Sequence, residues 1–187
     1  MKKILIAALC LLTLGTNAKN KYYFGSKGIL ASESERSKGY MGFIEPNLTT
    51  DFENLSFGAT TIHGYQFNSY IFLGAGGGFY SGKQTRYNYN GYSSGSTGKN
   101  YISIPVFVDF RANFSNSDAA PFVEVRSGAS FSELNNYLYE SVGFGLDAAL
   151  SKKTGIYFVA AYELYSGEVG SKKVYKHHAA FRLGFRF

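Results

Sequence analysis

The sequence predicts an all-β fold, an eight-stranded antiparallel up-and-down transmembrane β-barrel, on three observations. Segments in which apolar and polar residues alternate recur from Gly39 to the end, most of them about ten residues long, the length a tilted strand needs to cross hydrocarbon. The charged residues within those segments share one parity and nearly balance in sign. The composition also favours strands and close strand contacts, with sixteen Tyr, seventeen Phe and twenty-two Gly against three Pro and no Trp in 187 residues.

Bulk properties remove several other classes. The length calls for one domain with a sizeable core. A net charge of +6 would suit nucleic acid, but the basic residues are scattered or alternate with apolar ones and form no helical stripe, so no nucleic-acid partner is expected. No internal run of eighteen apolar residues appears, so a helical membrane span is not expected beyond the N-terminus.

Residues 1–18 read as a secretory signal peptide: Lys2 and Lys3, the apolar run Ile4 to Leu14, then Thr16, Asn17 and Ala18 before a cut. Cys10 raises a lipoprotein reading, but Leu9 stands where a small residue is wanted and the apolar run continues past it. Cleavage after Ala18 leaves a mature chain without cysteine, and so without a disulfide or thiolate site. Residues 19–38 show no sustained period and are expected to form an N-terminal extension, with a short ordered piece around Tyr22 to Phe24. The barrel is expected over 39–187.

The first strand is expected from Gly39 to Glu45, ended by Pro46-Asn47, with Leu48 to Asn54 a loop. Leu55 to Tyr65 is the second, its end ambiguous because Ile62 and His63 ask for opposite faces. After a turn at Gln66 to Ser69, Tyr70 to Tyr80 is the third. Its run Gly74 to Gly78 is no phosphate loop, since no helix start follows; such glycines make room for large lumen side chains or for close strand contact. Ser81 to Asn100 is read as the longest loop. Tyr101 to Arg111 is the cleanest strand, with Ile102, Ile104, Val106, Val108 and Phe110 on one face. Ala112 to Asp118 turns into Ala119 to Phe131, where Glu124 and Arg126 share a parity. Ser132 to Tyr139 is a loop, and Ser141 to Leu150 the sixth strand. The turn Ser151 to Gly155, the strand Ile156 to Tyr165 and the loop Ser166 to Tyr175 lead to Lys176 to Phe187, the eighth.

Lipid rather than water is assigned to the apolar face on further grounds. The connections at Gln66, Ala112 and Ser151, on the side of the termini, are short, and those beginning at Leu48, Ser81, Ser132 and Ser166 are longer on average, as in outer-membrane barrels. Glu45, Asp109, Arg111, Glu124, Arg126, Asp147, Glu163, Arg182 and Arg186 form the polar parity, and a narrow lumen demands that they pair. Lysines instead gather in turns and loops, as at Lys152, Lys153, Lys172 and Lys173. Tyr40, Tyr65, Tyr70, Phe110 and Phe187 at one end, and Tyr80, Tyr101, Phe131, Tyr139 and Tyr165 at the other, are expected as two interfacial girdles.

The eight strands and the terminal AAFRLGFRF resemble the small outer-membrane barrels of the OmpX and OmpA transmembrane-domain type. GYMGFIE, HGYQFNSYIFLGAGGGF and SIPVFVDFRANF are similar to the outer-membrane β-barrel ("porin family") proteins of Bacteroidota, a likeness that covers 39–187. The resemblance implies a place in the bacterial outer membrane, among lipid and lipopolysaccharide, and is poor for activity. It also implies that Phe181, Leu183, Phe185 and Phe187 form the signal read by the barrel assembly machinery.

No catalytic, metal or cofactor site is expected. Adjacent His177 and His178 point to opposite faces of a strand, and His63 stands apart. No serine, histidine and acid are spaced as a hydrolase would need. The candidate external contact is the loop Ser81 to Asn100, where Tyr87, Tyr89 and Tyr92 offer contact area and Lys83, Arg86 and Lys99 suit acidic partners such as lipopolysaccharide phosphates. The expected role is structural or surface-interacting; a small-solute or ion pore comes second, and a lipid-modifying enzyme or soluble lipocalin-like binder after it.

Overall fold

Alternation of side chains with a period of two puts one parity of each strand outside and the other inside, and the chain closes on that rule. The computed structural model describes residues 38–87, 93–133, 135–169 and 172–187. The expected signal peptide, the expected extension as far as residue 37, Tyr89 and Tyr92 lie outside the described residues. Eight antiparallel strands follow one another around a closed barrel: β1 (Gly39–Thr50), β2 (Leu55–Gln66), β3 (Ile71–Tyr87), β4 (Ser93–Asn113), β5 (Ala119–Ser132), β6 (Asn136–Ala149), β7 (Gly155–Val169) and β8 (Lys172–Arg186).

Thr50 leads along its paired residues through Ala179, Tyr162, Val142, Val125, Phe110, Leu73 and Tyr65 to Tyr40, so one circuit returns to β1 ten residues away. In an eight-stranded barrel that stagger goes with strands tilted by about 35–45° and a lumen that side chains can fill. Closure leaves no open edge among the strands, the condition hydrocarbon imposes on a sheet.

The barrel is inside out. Ile44, Val106, Val142 and Leu183 are each at least half exposed on the outer face, whereas Glu45, Asp109, Glu163 and Arg182 have no exposed surface. In water this would forfeit the burial of every outward Val, Leu, Ile and Phe, worth about 1.5–3 kcal/mol each. A hydrocarbon surround removes that loss.

Strand boundaries differ from the expected ones at the end away from the termini. β1 runs through Pro46 to Thr50, because its ladder to β8 is interrupted between Ile44 and Asn47 and Pro46 falls in the gap, where no N–H is required. Ser81 to Asn100 is largely strand: β3 and β4 stay paired as far as Tyr87 and Ser93, across two register shifts. Ser132 to Tyr139 and Ser166 to Tyr175 are also mostly strand. The connections at this end are therefore not the longer ones. What distinguishes the end is strands that stay paired beyond the apolar belt, in the β3–β4 extension with polar residues on both parities.

At the end of β2, Ile62 faces the lumen and is fully buried while His63 faces out. Outside, His63 Nδ1 bonds the Tyr40 hydroxyl at 2.5 Å and Nε2 the Thr61 hydroxyl at 3.0 Å. Inside, Ile62 lies where Gly76 of β3 leaves space, since a Cβ at Gly76 would stand 2.8 Å from Ile62 Cγ1 and 2.9 Å from Phe107 Cε2.

Candidate functional site

The nine charged residues of the polar parity converge in the lumen. Glu45 on β1 is the hub. Its Oε1 accepts from Arg111 Nη2 at 2.7 Å, Arg126 Nη2 at 2.7 Å and the Tyr157 hydroxyl at 2.5 Å, and its Oε2 from Thr60 at 2.9 Å and Arg126 at 2.8 Å. Asp109 takes Arg111 Nη2 at 3.0 Å, and its Oδ2 lies 3.4 Å from Arg126 Nε. Glu124 bridges Arg126, at 3.1 Å, and Arg182. Arg182 Nη2 donates to Glu163 at 2.6 Å and to Ser141 at 2.8 Å, and Tyr139 and Tyr165 also donate to Glu163. Nearer the termini, Arg186 Nε lies 3.3 Å from Asp147 Oδ2.

Each of these charges thus has a counter-charge within 3.3 Å, although Arg126 and Arg182 keep guanidinium N–H groups without an acceptor. Aromatic faces fill the rest of the layer. Arg111 Cζ stands 4.2 Å from the Phe43 ring centre and 4.7 Å from that of Tyr157, and Arg126 Cζ 4.9 Å from that of Phe107. β2 and β3 carry no charge here; Thr60, Ile62 and Phe72 and the β3 glycines complete that wall.

Two cavities flank the layer. One of about 10 Å³ lies toward the termini, against Phe43, Phe72, Phe122, Arg111 and Arg186. The other, of about 50 Å³, is a vestibule at the opposite end, with Tyr80, Tyr101, Tyr137, Tyr165, Lys176 and His178 in its wall. The expected second aromatic girdle is therefore not a girdle. Tyr80, Tyr139 and Tyr165 are buried in the lumen, Tyr101 lines the vestibule, and of that set only Phe131 faces out. Parity had already placed Tyr139 beside Ser141 and Tyr165 beside Glu163; position at a strand end is the weaker signal. At the other end Tyr40, Tyr65, Tyr70, Phe110 and Phe187 all face out.

Phe181, Leu183, Phe185 and Phe187 lie along the outer face of β8. Phe187 closes the seam, its N–H donating to Gly42 O at 2.9 Å and its O accepting from Gly42 N at 2.8 Å. The Phe187 ring covers Gly42 so closely that a Cβ there would be 2.6 Å from it. Of the expected contact loop, Lys83 is exposed at the vestibule rim, and Arg86, Tyr87 and Lys99 belong to the paired backbone of β3 and β4. Among the described residues no group of three or more His, Cys, Asp or Glu is placed to hold a metal.

This geometry has a counterpart among solved structures. Neisserial surface protein A aligns over 80% of this chain and 95% of its own, with a TM-score of 0.57 at 12% identity. The fold is that of a small outer-membrane barrel. The N-terminal barrel domain of Pseudomonas aeruginosa OprF (13% identity, 81% of this chain and 100% of that one, TM-score 0.46) aligns less well. So does AlkL, solved in lipid bilayers (12% identity, 88% and 97%, TM-score 0.42). No protein family and no curated protein matches the sequence. Sequence reading did not single out Tyr157, Tyr139, Tyr165, Thr60 and Ser141 as partners of the charges, nor Tyr80, Lys176 and His178 as vestibule walls. Their inward parity was the available signal.

Proposed function

We propose that the protein is a non-conducting barrel of the bacterial outer membrane, structural in its lumen and interactive at the outward ends of its strands. The observation that carries this reading is the lumen cross-section, filled by Glu45, Arg111, Arg126, Glu124 and Arg182, each at most 4% exposed. Ions would have to break those pairs to pass. Lipid and lipopolysaccharide surround the apolar belt, and the paired extension of β3 and β4 is the surface offered to acidic partners. The reading assigns the lumen and vestibule no catalytic role.

The test is reconstitution of the heat-modifiable barrel into planar bilayers. No unitary conductance is expected; steady channels would overturn the reading. The seam contact of Phe187 with Gly42 supports the assembly role of the last strand. Deleting Phe187 is expected to lower the amount of heat-modifiable protein in the outer membrane severalfold, and unchanged amounts would remove that role.

A further inference from the structure

The vestibule differs from the lumen beneath it in holding both space and unused polar groups. Among the described residues, the hydroxyl of Tyr80, 2% exposed, has no hydrogen-bond partner, and neither has Nε2 of His178, 8% exposed. Both residues line the same 50 Å³ cavity. A buried hydroxyl or imidazole without a partner is a cost to the fold, and these two, on β3 and β8, flank one opening. The Lys176 ammonium also belongs to the wall, 4.1 Å from the Tyr137 ring centre, and Lys83 stands at the rim. Among the described residues the wall's acid is Asp51, whose Oδ1 accepts the backbone N–H groups of Glu53 at 3.1 Å and Asn54 at 2.7 Å. Lys83 and Lys176 are the cations among the described residues of the wall, and the Tyr80 hydroxyl is a donor.

We propose that this vestibule is a binding site for a small oxyanion, a phosphate or carboxylate group on a larger ligand presented from outside. The anion takes hydrogen bonds from Tyr80 and His178 and the charge of Lys176, with Lys83 drawing it toward the opening. The volume sets the scale. At about 30 Å³ of liquid volume per water, the cavity holds about two waters, on the scale of the charged head of a ligand and not of its body. The tyrosine faces at the mouth, Tyr101 and Tyr137, are where the body would rest. The inference does not depend on whether the lumen conducts.

The chain's three histidines supply the readout, because His178 lies in the vestibule while His63 and His177 face outward. Full-length mature protein with labelled histidine, folded in detergent micelles, is titrated with inorganic phosphate, acetate or glucose at constant pH and ionic strength, and imidazole shifts are followed by NMR. The expected result is a saturable shift at His178 with phosphate, acetate or both, and none at His63 or His177. Response to both anions means either head group fits, and response to one names it. Tyr80→Phe and Lys176→Gln, each still heat-modifiable and therefore folded, are expected to weaken the apparent affinity about tenfold. No saturable shift, equal shifts at all three histidines, an equal response to glucose, or unchanged affinity in both variants would each overturn the site.

Discussion

The lumen layer and the vestibule share one barrel interior, and their polar residues are put to opposite use. In the layer, five acids and four arginines are packed so that each charge meets its opposite, and arginine is the only cation. In the vestibule the cations are lysines, and Tyr80 and His178 keep polar atoms without partners around an open volume. Arginine suits the layer because its planar fork serves several carboxylates at once and holds its charge when dehydrated. Lysine suits a wall that meets water, since its ammonium is hydrated until something displaces the water. Among these residues, the choice of cation separates a group that seals the barrel from one that lines an opening.

The sharpest way to break that contrast is to remove the hub. Glu45→Gln keeps the shape and deletes the charge that Arg111 and Arg126 share, leaving both guanidinium groups dependent on Asp109 and Glu124. Loss of one partner from a buried ionic network costs about 3–5 kcal/mol, because the remaining charge cannot return to water. Urea unfolding of the barrel folded into lipid vesicles should show a loss of that size. A change below about 1 kcal/mol would mean that water already reaches the layer, and the distinction between the two regions would fall.

Much of this was legible in the sequence, and the part that was not lies mostly at the end away from the termini. Glu45, Asp109, Glu124, Glu163 and Arg182 could be placed together because a membrane makes the two faces of a strand chemically different, so parity carries information. Beyond the apolar belt the sequence can turn polar on both parities, as in Ser93 to Asn100, and a paired segment of that kind looks like a loop. Pro46 misled for a related reason. Its effect depends on which neighbour its nitrogen faces, and only the register with β8 decides that. The tyrosines are a different case, since Tyr80, Tyr139 and Tyr165 obeyed parity all along and only the habit of putting aromatics at interfaces moved them outside. The partnerless atoms of the vestibule depend on distances between β3 and β8 that no spacing along the chain encodes.

The smallest expected effect bears most directly on what the vestibule is for. Tyr80→Phe removes a hydroxyl that has no partner in the folded protein and keeps the ring that fills the wall. Burying that hydroxyl unpaired is a cost, so its removal should leave stability in vesicles unchanged or raise it by up to about 1 kcal/mol, measured by the same urea unfolding. A core hydroxyl held for structure would give the opposite sign. If the substitution destabilised the barrel by more than about 1 kcal/mol, Tyr80 would belong with the layer below. A neutral or stabilising change, in a variant that binds phosphate more weakly, would instead mean that the protein retains an unsatisfied donor at a cost to its own stability, which a purely structural barrel gives no reason to keep.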